Sequence, residues 1–221
     1  MQVTKLDHQF HILDDGRVRA FLIAGGDSAL LIDTGFADSQ VYETVKSITD
    51  LPVTVLLTHA DPDHAGGLIP FGACCAMEPD WPMIPQGVSI HSLNQGDVFC
   101  CGEYRLEVIP IPGHTRGSAA FFDREKGLLI SGDSVQKDGP IFMFGPHRNL
   151  DQYIESQKKL LSLAPAIRTI LPSHHPCPIG PEYIEWNLQD ALDLKAGKLP
   201  SQPHPNLPCR ICQGKSAAFL Y

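Results

Sequence analysis

Ionisable side chains are dense in the stretch VLLTHADPDHAGGL, residues 55–68. An apolar run ends there at Thr58, as expected for a short buried strand. Four metal-capable side chains follow within six positions, namely His59, Asp61, Asp63 and His64. Imidazole and carboxylate are ligands that borderline and hard divalent metals prefer, and burying so many of them without a metal would be costly. The stretch therefore predicts a metal site just after a strand.

Three further candidates stand in later loops, each where an apolar run ends. His114 comes after LEVIPIPG, Asp133 after LLISG, and His174 after TILPS. Ligands of open α/β folds lie beyond the carboxyl ends of strands, so we expect these four loops to converge at one edge of a sheet. Together the seven groups could hold two ions that share a carboxylate and a bridging hydroxide.

Other polar residues have plainer interpretations. Five histidines are interpreted as solvated loop residues, namely His8, His11, His91, His147 and His204. Ser118 and Ser134 are interpreted as loop hydroxyls, so no serine nucleophile is expected. Arg116 and Arg148 lie near the cluster in sequence and could meet an anionic substrate, but surface exposure is the favoured interpretation.

The seven cysteines suit reduced thiols better than a disulfide framework, because their number is odd and includes two adjacent pairs. Cys209 and Cys212 form a CxxC near the end of the chain, but a zinc site there would need two more ligands. We expect both to be dispensable for the chemistry.

Composition and charge indicate an ordinary globular chain. With 221 residues, 43% hydrophobic and 19% charged, we expect a single domain over 1–221 with a short Pro- and Cys-containing C-terminal segment, about 198–221. A formal net charge of −8 argues against nucleic acid and membrane partners, because such binding is driven by neutralisation of phosphates. The expected partner is a small-molecule substrate. No apolar stretch approaches the roughly 20 residues that cross a bilayer, and no signal-peptide pattern is present. A cytoplasmic location is expected, and the oligomeric state stays open.

The elements that must position the cluster alternate between strands and helices. Apolar runs at 18–26 and 28–35 predict a hairpin, and helical spacing over 37–49 precedes a buried strand within 51–59. Asn149 can cap the clearest helix. The remaining predicted elements are strands at 106–111, 118–122 and 127–131, a helix within 148–165, a strand at 167–172, a helix within 182–198 and, after a Pro-rich loop, a strand within 216–221.

Five sequence blocks resemble the metallo-β-lactamase superfamily. They are LIDTG, THADPDHAGG, PGHTRGSA, SGDS and SHHP, and they run in this order from about Phe21 to Pro176. The family signature is H-x-H-x-D-H followed by a His, an Asp and a final His. The resemblance implies an α/β fold of the αβ/βα sandwich type, with two facing mixed β-sheets, helices outside and a dinuclear site at one edge. PGHTRGSA and SGDS are most similar to the glyoxalase II-like members.

The resemblance also implies a role for each ligand. The first metal would bind His59, Asp61 and His114, and the second would bind Asp63, His64 and His174. Asp133 would bridge the two metals, and Asp63 would orient the attacking hydroxide and could take its proton. His174 is chosen because the family ligand follows one small residue after the strand, and His175 is the alternative. Asp33 of LIDTG would support the site.

Asp61 departs from the family pattern, which has histidine at this position. The resulting motif, H-x-D-x-D-H, carries one more carboxylate and favours a harder ion. Two divalent ions are expected, with zinc as the first choice and iron or manganese as alternatives. The flavodiiron branch is similar in having an acidic residue here, but it also carries a flavin-binding domain that nothing in this chain supplies.

Three functions follow from these patterns. The first is a metal-dependent hydrolase that uses a metal-bridging hydroxide on a small ester, thioester or lactone. The second, motivated by Asp61, is an iron-dependent redox or sulfur-oxygenation enzyme related to the flavodiiron or persulfide dioxygenase branches. The third is a metal-stabilised protein without catalysis. The hydrolase is the favoured prediction.

Overall fold

Two β-sheets form the centre of the structure, a computed structural model that describes all residues 1–221. The first sheet has seven strands in chain order: β1 (Gln2–Lys5), β2 (Phe10–Asp14), β3 (Arg19–Gly25), β4 (Ser28–Ile32), β5 (Val53–Leu56), β6 (Ala73–Ala76) and β7 (Ser89–Ser92). The second sheet contains β8 (Val98–Cys101), β9 (Tyr104–Pro110), β10 (Ala119–Asp123), β11 (Leu128–Gly132) and β13 (Thr169–Pro172), while β12 (Pro140–Phe142) belongs to a third sheet. Its spatial order is β13-β11-β10-β9-β8.

Both sheets are mixed. In the first, β1 to β4 run antiparallel, whereas β4 to β7 pair in parallel. In the second, β13 pairs in parallel with β11 and the other strands are antiparallel. The parallel strands matter for function, because their carboxyl ends open toward the same edge.

The inner faces of the two sheets share one apolar core. Phe21 and Ile23 of the first sheet pack in the same cluster as Phe121 and Ile130 of the second, and all four are fully buried. Leu22, between Phe21 and Ile23, packs on the opposite face. This alternation follows from the two-residue period of a strand, which sends successive side chains to opposite faces.

Helices cover the outer faces. The four α-helices are α1 (Val41–Ile48), α2 (Pro62–Ala65), α3 (Leu150–Leu163) and α4 (Glu182–Lys195), and 3₁₀ turns cover Gly66–Phe71, Glu78–Met83 and Ala164–Ala166. Val41 and Val45 of α1 pack against the first sheet. Leu160 of α3 and Ile184 of α4 pack against the second. The predicted αβ/βα sandwich is confirmed. No helix is long and apolar enough to span a bilayer.

A third, small sheet joins the end of the chain to its middle. It has the order β12-β16-β15-β14 and consists of β12 (Pro140–Phe142), β14 (Ser201–Pro203), β15 (Arg210–Gln213) and β16 (Ala218–Leu220). β16 pairs in parallel with β12, which follows the loop that carries Asp133. The C-terminal segment therefore supports one wall of the region in which the candidate ligands lie.

Most predicted elements are present, with shorter bounds. The hairpin corresponds to β3 and β4, and the clearest helix is α3, where the Asn149 side chain accepts a hydrogen bond from the Gln152 amide. The Pro-rich stretch was expected to be a loop throughout, but β14 lies inside it. β14 is an exposed edge strand, which is a position where proline is tolerated.

Candidate metal centre

The structure brings all seven predicted ligands to one edge of the sandwich. They come from four segments: the turn after β5 together with α2, the β9–β10 connection, the end of β11 and the end of β13. Three overlapping groups each have their ligand atoms within 4.8 Å of one another: His59–Asp61–His114, Asp63–His64–His174 and His59–His64–Asp133. The first two groups match the predicted sets for the first and second metal.

Each histidine of the cluster is held by its Nδ1 atom. His64 donates to Asp33 Oδ2 at 2.8 Å, and His59 donates to Thr58 Oγ1 at 3.0 Å. His114 donates to the carbonyl of Phe142 at 3.0 Å, and His174 donates to the carbonyl of Arg17 at 2.7 Å. With Nδ1 used as the donor, all four rings turn Nε2 toward the common centre, as ligand histidines do.

The Nε2 atoms meet carboxylate oxygens at separations that suit shared metal ligation. His64 Nε2 lies 3.3 Å from Asp133 Oδ1, and His114 Nε2 lies 3.4 Å from Asp61 Oδ2. Two atoms that each lie about 2.0–2.2 Å from one tetrahedral ion are about 3.4 Å apart. The Nε2 atoms of His59, His64 and His114 are buried without a hydrogen-bond partner, as is Oδ1 of Asp133. A buried polar atom rarely stays unpaired, so this donor set fits divalent metal ions.

Asp133 lies between the two groups. Its Oδ2 is 3.6 Å from His114 Nε2 of the first group and 3.4 Å from His174 Nε2 of the second. Its Oδ1 faces His64. The position directly after β11 therefore places one carboxylate within reach of both groups, as the predicted bridging role requires.

Charges within the cluster balance one another. Burial would raise the pKa of Asp133, but His174 and His64 hold it well below its usual value. Burial would lower the pKa of His174, yet Asp133 and Asp63 raise it to about 10. Without metal, a proton on His174 thus occupies a position that an ion would take, so metal loading competes with protons.

Two buried aspartates support the ligands from behind, and only one of them was predicted. Asp33 accepts hydrogen bonds from His64 Nδ1 and Thr58 Oγ1, which agrees with its predicted supporting role. Asp80 was not singled out from the sequence. It accepts from the Ala60 amide at 3.1 Å and from Thr115 Oγ1 at 2.7 Å. It therefore ties the loop of His59 and Asp61 to the loop of His114.

Asp80→Asn is expected to lower the free energy of unfolding by about 1–3 kcal/mol, because an amide NH₂ would face donors that now meet a carboxylate. Oδ1 of Asp80 also accepts from the Gly117 amide at 2.8 Å, and a Cβ at Gly117 would collide with the Asp80 carboxyl carbon at 2.6 Å. Denaturant unfolding and zinc affinity measured by chelator competition check this expectation, since both should fall.

Asp123→Asn is the matched control for Asp80→Asn. Asp123 is equally buried and accepts from the Arg105 and Lys126 amides, but it lies at the far end of β10. The control should lose stability without losing zinc affinity. Equal effects of the two changes on zinc affinity would show that Asp80 stabilises the fold in general and has no specific role at the ligand loops.

Some sequence interpretations need correction. Arg148 is not a surface arginine, because its side chain is only 11% exposed and pairs with Asp61. His11 is buried within β2.

Other interpretations hold. Arg116 is exposed, as expected, and all seven cysteines are free thiols. His174, and not His175, turns its ring nitrogen toward Asp63 and Asp133. Both His174 and His175 line the neighbouring cavity.

Comparisons with known proteins agree with this fold. A family model described as the metallo-beta-lactamase superfamily matches residues 13–72 and 76–174. The chain is 26% identical over 201 residues to the acyl-coenzyme A thioesterase MBLAC2 of Gallus gallus, with 72% of each chain covered. It is 27% identical over 222 residues to the hydroxyacylglutathione hydrolase of Bdellovibrio bacteriovorus, with 91% of this chain and 80% of the relative covered. A metallo-beta-lactamase structure from Pontibacter korlensis superposes with a TM-score of 0.72 at 20% identity, covering 87% of this chain and 99% of that one.

The fold, the clustered ligands and the family match together define the class. Because the matched residues make up most of the chain, the protein belongs to the metallo-β-lactamase superfamily. The predicted resemblance is thus confirmed, and the hydroxyacylglutathione hydrolase relative agrees with the glyoxalase II-like branch. Both relatives are hydrolases by name, which supports a hydrolytic enzyme.

Proposed function

We propose that this protein is a metal-dependent hydrolase that acts on a small ester, thioester or lactone. The observation that carries the proposal is the set of four imidazoles whose Nδ1 atoms are engaged by the fold and whose Nε2 atoms face a common centre with three carboxylates. Such a preorganised donor set is typical of catalytic metal sites in which protein ligands leave positions open for substrate.

Two divalent ions are assigned to this centre. His59, Asp61 and His114 would hold the first ion, Asp63, His64 and His174 the second, and Asp133 would contact both. When bound, the ions supply a hydroxide nucleophile near neutral pH and polarise the substrate carbonyl. Zinc is the first choice because imidazole dominates the donor set, and iron or manganese is the alternative because of the third carboxylate.

Asp63 is the residue of the cluster best placed to act on the reaction itself. Its side chain is 22% exposed, more than that of any other carboxylate in the cluster, and it lines the adjoining cavity. His174 Nε2 lies 3.1 Å from its Oδ2 and fixes the carboxylate. Burial would raise the pKa of Asp63, but His174 and His64 lower it, so the group is charged at neutral pH and can orient a nucleophile.

The cavity beside the cluster has the size of a small-molecule site. Its volume is about 420 Å³, within the range of ligand pockets. Phe142 and Pro140 of β12 contribute apolar surface to a lining that also includes Asp63, Asp133, Arg148 and His175. This combination suits an acyl group placed beside polar catalytic groups. Within the proposed class, the names of the two relatives favour a thioester.

Protein loaded separately with zinc, manganese and iron is expected to hydrolyse members of a panel of acyl thioesters, aryl esters and lactones. Turnover should be lost when a chelator removes the metal and should return when the metal is restored. His147→Ala should show the same metal-dependent turnover as the unmodified protein, because His147 is an exposed histidine outside the cluster. Absence of turnover in every metal form, with metal bound, would favour the metal-stabilised protein without catalysis.

Asp61 supports a second candidate, an iron-dependent redox or sulfur-oxygenation enzyme. A carboxylate in place of an imidazole favours harder ions, and Asp61 lies 3.5 Å from His59 Nε2 and 3.4 Å from His114 Nε2. Iron in protein purified without added metal, together with oxygen consumption in the presence of a persulfide, would favour this function over hydrolysis.

A further inference from the structure

Arg148 forms the only ion pair in which a lysine or arginine contacts a member of the seven-residue cluster. Its Nη2 donates to Oδ2 of Asp61, and the two side chains are 11% and 16% exposed. The same oxygen faces His59 Nε2 and His114 Nε2. Because one carboxylate oxygen has two lone pairs, it can accept from an arginine and still bind a metal.

The backbone around Arg148 is locked to the loop that carries His114. The next residue, Asn149, caps α3 and donates its amide to the Gly113 carbonyl at 2.8 Å. Gly113 has φ of +140°, and a Cβ there would lie 2.3 Å from the Tyr153 amide nitrogen. Glycine before His114 thus allows the start of α3 to pack directly against the ligand loop. Arg148 is therefore a fixed neighbour of the first metal group.

The charge of Arg148 offsets the one charge that distinguishes this site from the usual family pattern. A neutral histidine at position 61 would bring no charge, whereas Asp61 brings one negative charge. We infer that Arg148 and Asp61 act as a matched pair, in which the guanidinium neutralises the extra carboxylate and sets the metal affinity and selectivity of the first site. This inference rests on the metal site proposed above.

A direct consequence is that Asp61→His alone does not restore the usual pattern. It leaves the largely buried Arg148 cation without its partner, facing an ion of the same sign. Removing one partner of a buried ion pair destabilises a protein far more than removing both partners. Asp61→His should therefore weaken first-site metal binding by about tenfold or more, and Asp61→His combined with Arg148→Gln should recover most of that loss.

The single changes at Arg148 give a test that does not depend on histidine being accommodated at position 61. Arg148→Gln leaves Asp61 with its full charge, so manganese affinity should rise relative to zinc affinity by several-fold, following the preference of charged oxygen ligands for harder ions. Arg148→Lys keeps the cation and should stay close to the unmodified protein. Arg116→Gln is the matched control, because Arg116 is exposed and pairs with no carboxylate.

The experiment is competitive zinc and manganese titration of the full-length chain against a chromophoric chelator. The binding constants of the two sites are resolved for each metal. The inference is supported if Arg148→Gln changes the metal-binding constant of one site and leaves that of the other site unchanged, and if the double variant binds metal more tightly than Asp61→His. It is overturned if Arg148→Gln behaves like Arg116→Gln, or if the double variant is no tighter than Asp61→His. Absence of metal binding by the unmodified protein would instead overturn the metal site itself, and the inference with it.

Discussion

His64→Ala is expected to reduce bound metal from about two equivalents per chain to one or fewer, and to weaken zinc binding by about 100-fold or more. His64 is fully buried and belongs to two of the three ligand groups. Its Nε2 lies 3.3 Å from Asp133 and 3.6 Å from Asp63, so its removal affects the second ion and also the carboxylate shared with the first. Elemental analysis and chelator competition measure both effects.

The control for His64→Ala separates ligation from folding. Alanine also leaves the Asp33 carboxylate without its His64 partner, which costs stability. His64→Gln keeps a side chain of similar length that can donate a hydrogen bond, so it should fold better than alanine while still losing metal. If His64→Ala retains the metal content of His147→Ala, the seven residues do not form the predicted site.

The convergence of the seven candidate ligands was predictable because they follow apolar runs that end together. Strands β5, β11 and β13 could each be found from the sequence, and the order of the family blocks assigned His59, His114 and Asp133 to the same edge. Apolar runs predict buried strands well, because a strand that is buried on both faces is apolar at nearly every position. The α3 helix was likewise predictable from its cap at Asn149 and its helical spacing.

The short polar strands were not predictable in the same way. β1 is exposed at every position, and β14 lies in a Pro-rich stretch, so neither shows an alternating apolar pattern. They form because a neighbouring strand offers free backbone groups, which is a tertiary effect that overrides local preference. β12 has three residues, and its partner β16 lies more than 70 positions later in the chain.

Sequence analysis missed Asp80, and it named Arg148 but assigned it to the surface, for a related reason. Asp80 and Arg148 act through contacts with residues 20 and 87 positions away, and no local spacing indicates those contacts. For Arg148, the signal that was available is chemical. An additional carboxylate in a buried cluster favours a neighbouring cation, so the substitution at Asp61 could have favoured a buried position for Arg148 over a surface one.

The structure also explains how a common fold can tolerate that substitution. The first ligand group contacts α3 through the loop of His114, and the second group does not share that contact. A change of charge at position 61 can therefore be compensated by one side chain just before α3, while Asp63, His64 and His174 keep their own supports. One ligand group can therefore change its charge while the other keeps its residues and their supports.

Asp63→Asn is expected to lower kcat for the best thioester by about 10²–10⁴-fold, with a much smaller change in KM. Asparagine keeps the shape of the side chain but has one oxygen in place of two and no charge with which to orient a nucleophile or accept its proton. The loss should fall on kcat because the proposed role of Asp63 is to orient the nucleophile, whereas the apolar lining residues Phe142 and Pro140 are unchanged. Metal content must be measured in the same samples, since Asp63 is also a member of the second ligand group. His64, His174 and Asp133 remain in Asp63→Asn, so raising the metal concentration should refill the second site and leave the loss of kcat in place.

The control is Asp50→Asn, at a fully exposed carboxylate remote from the cluster, which should leave kcat and KM unchanged. Full recovery of kcat at high metal concentration would show that Asp63 only binds metal, and the role of orienting the nucleophile would pass to another group.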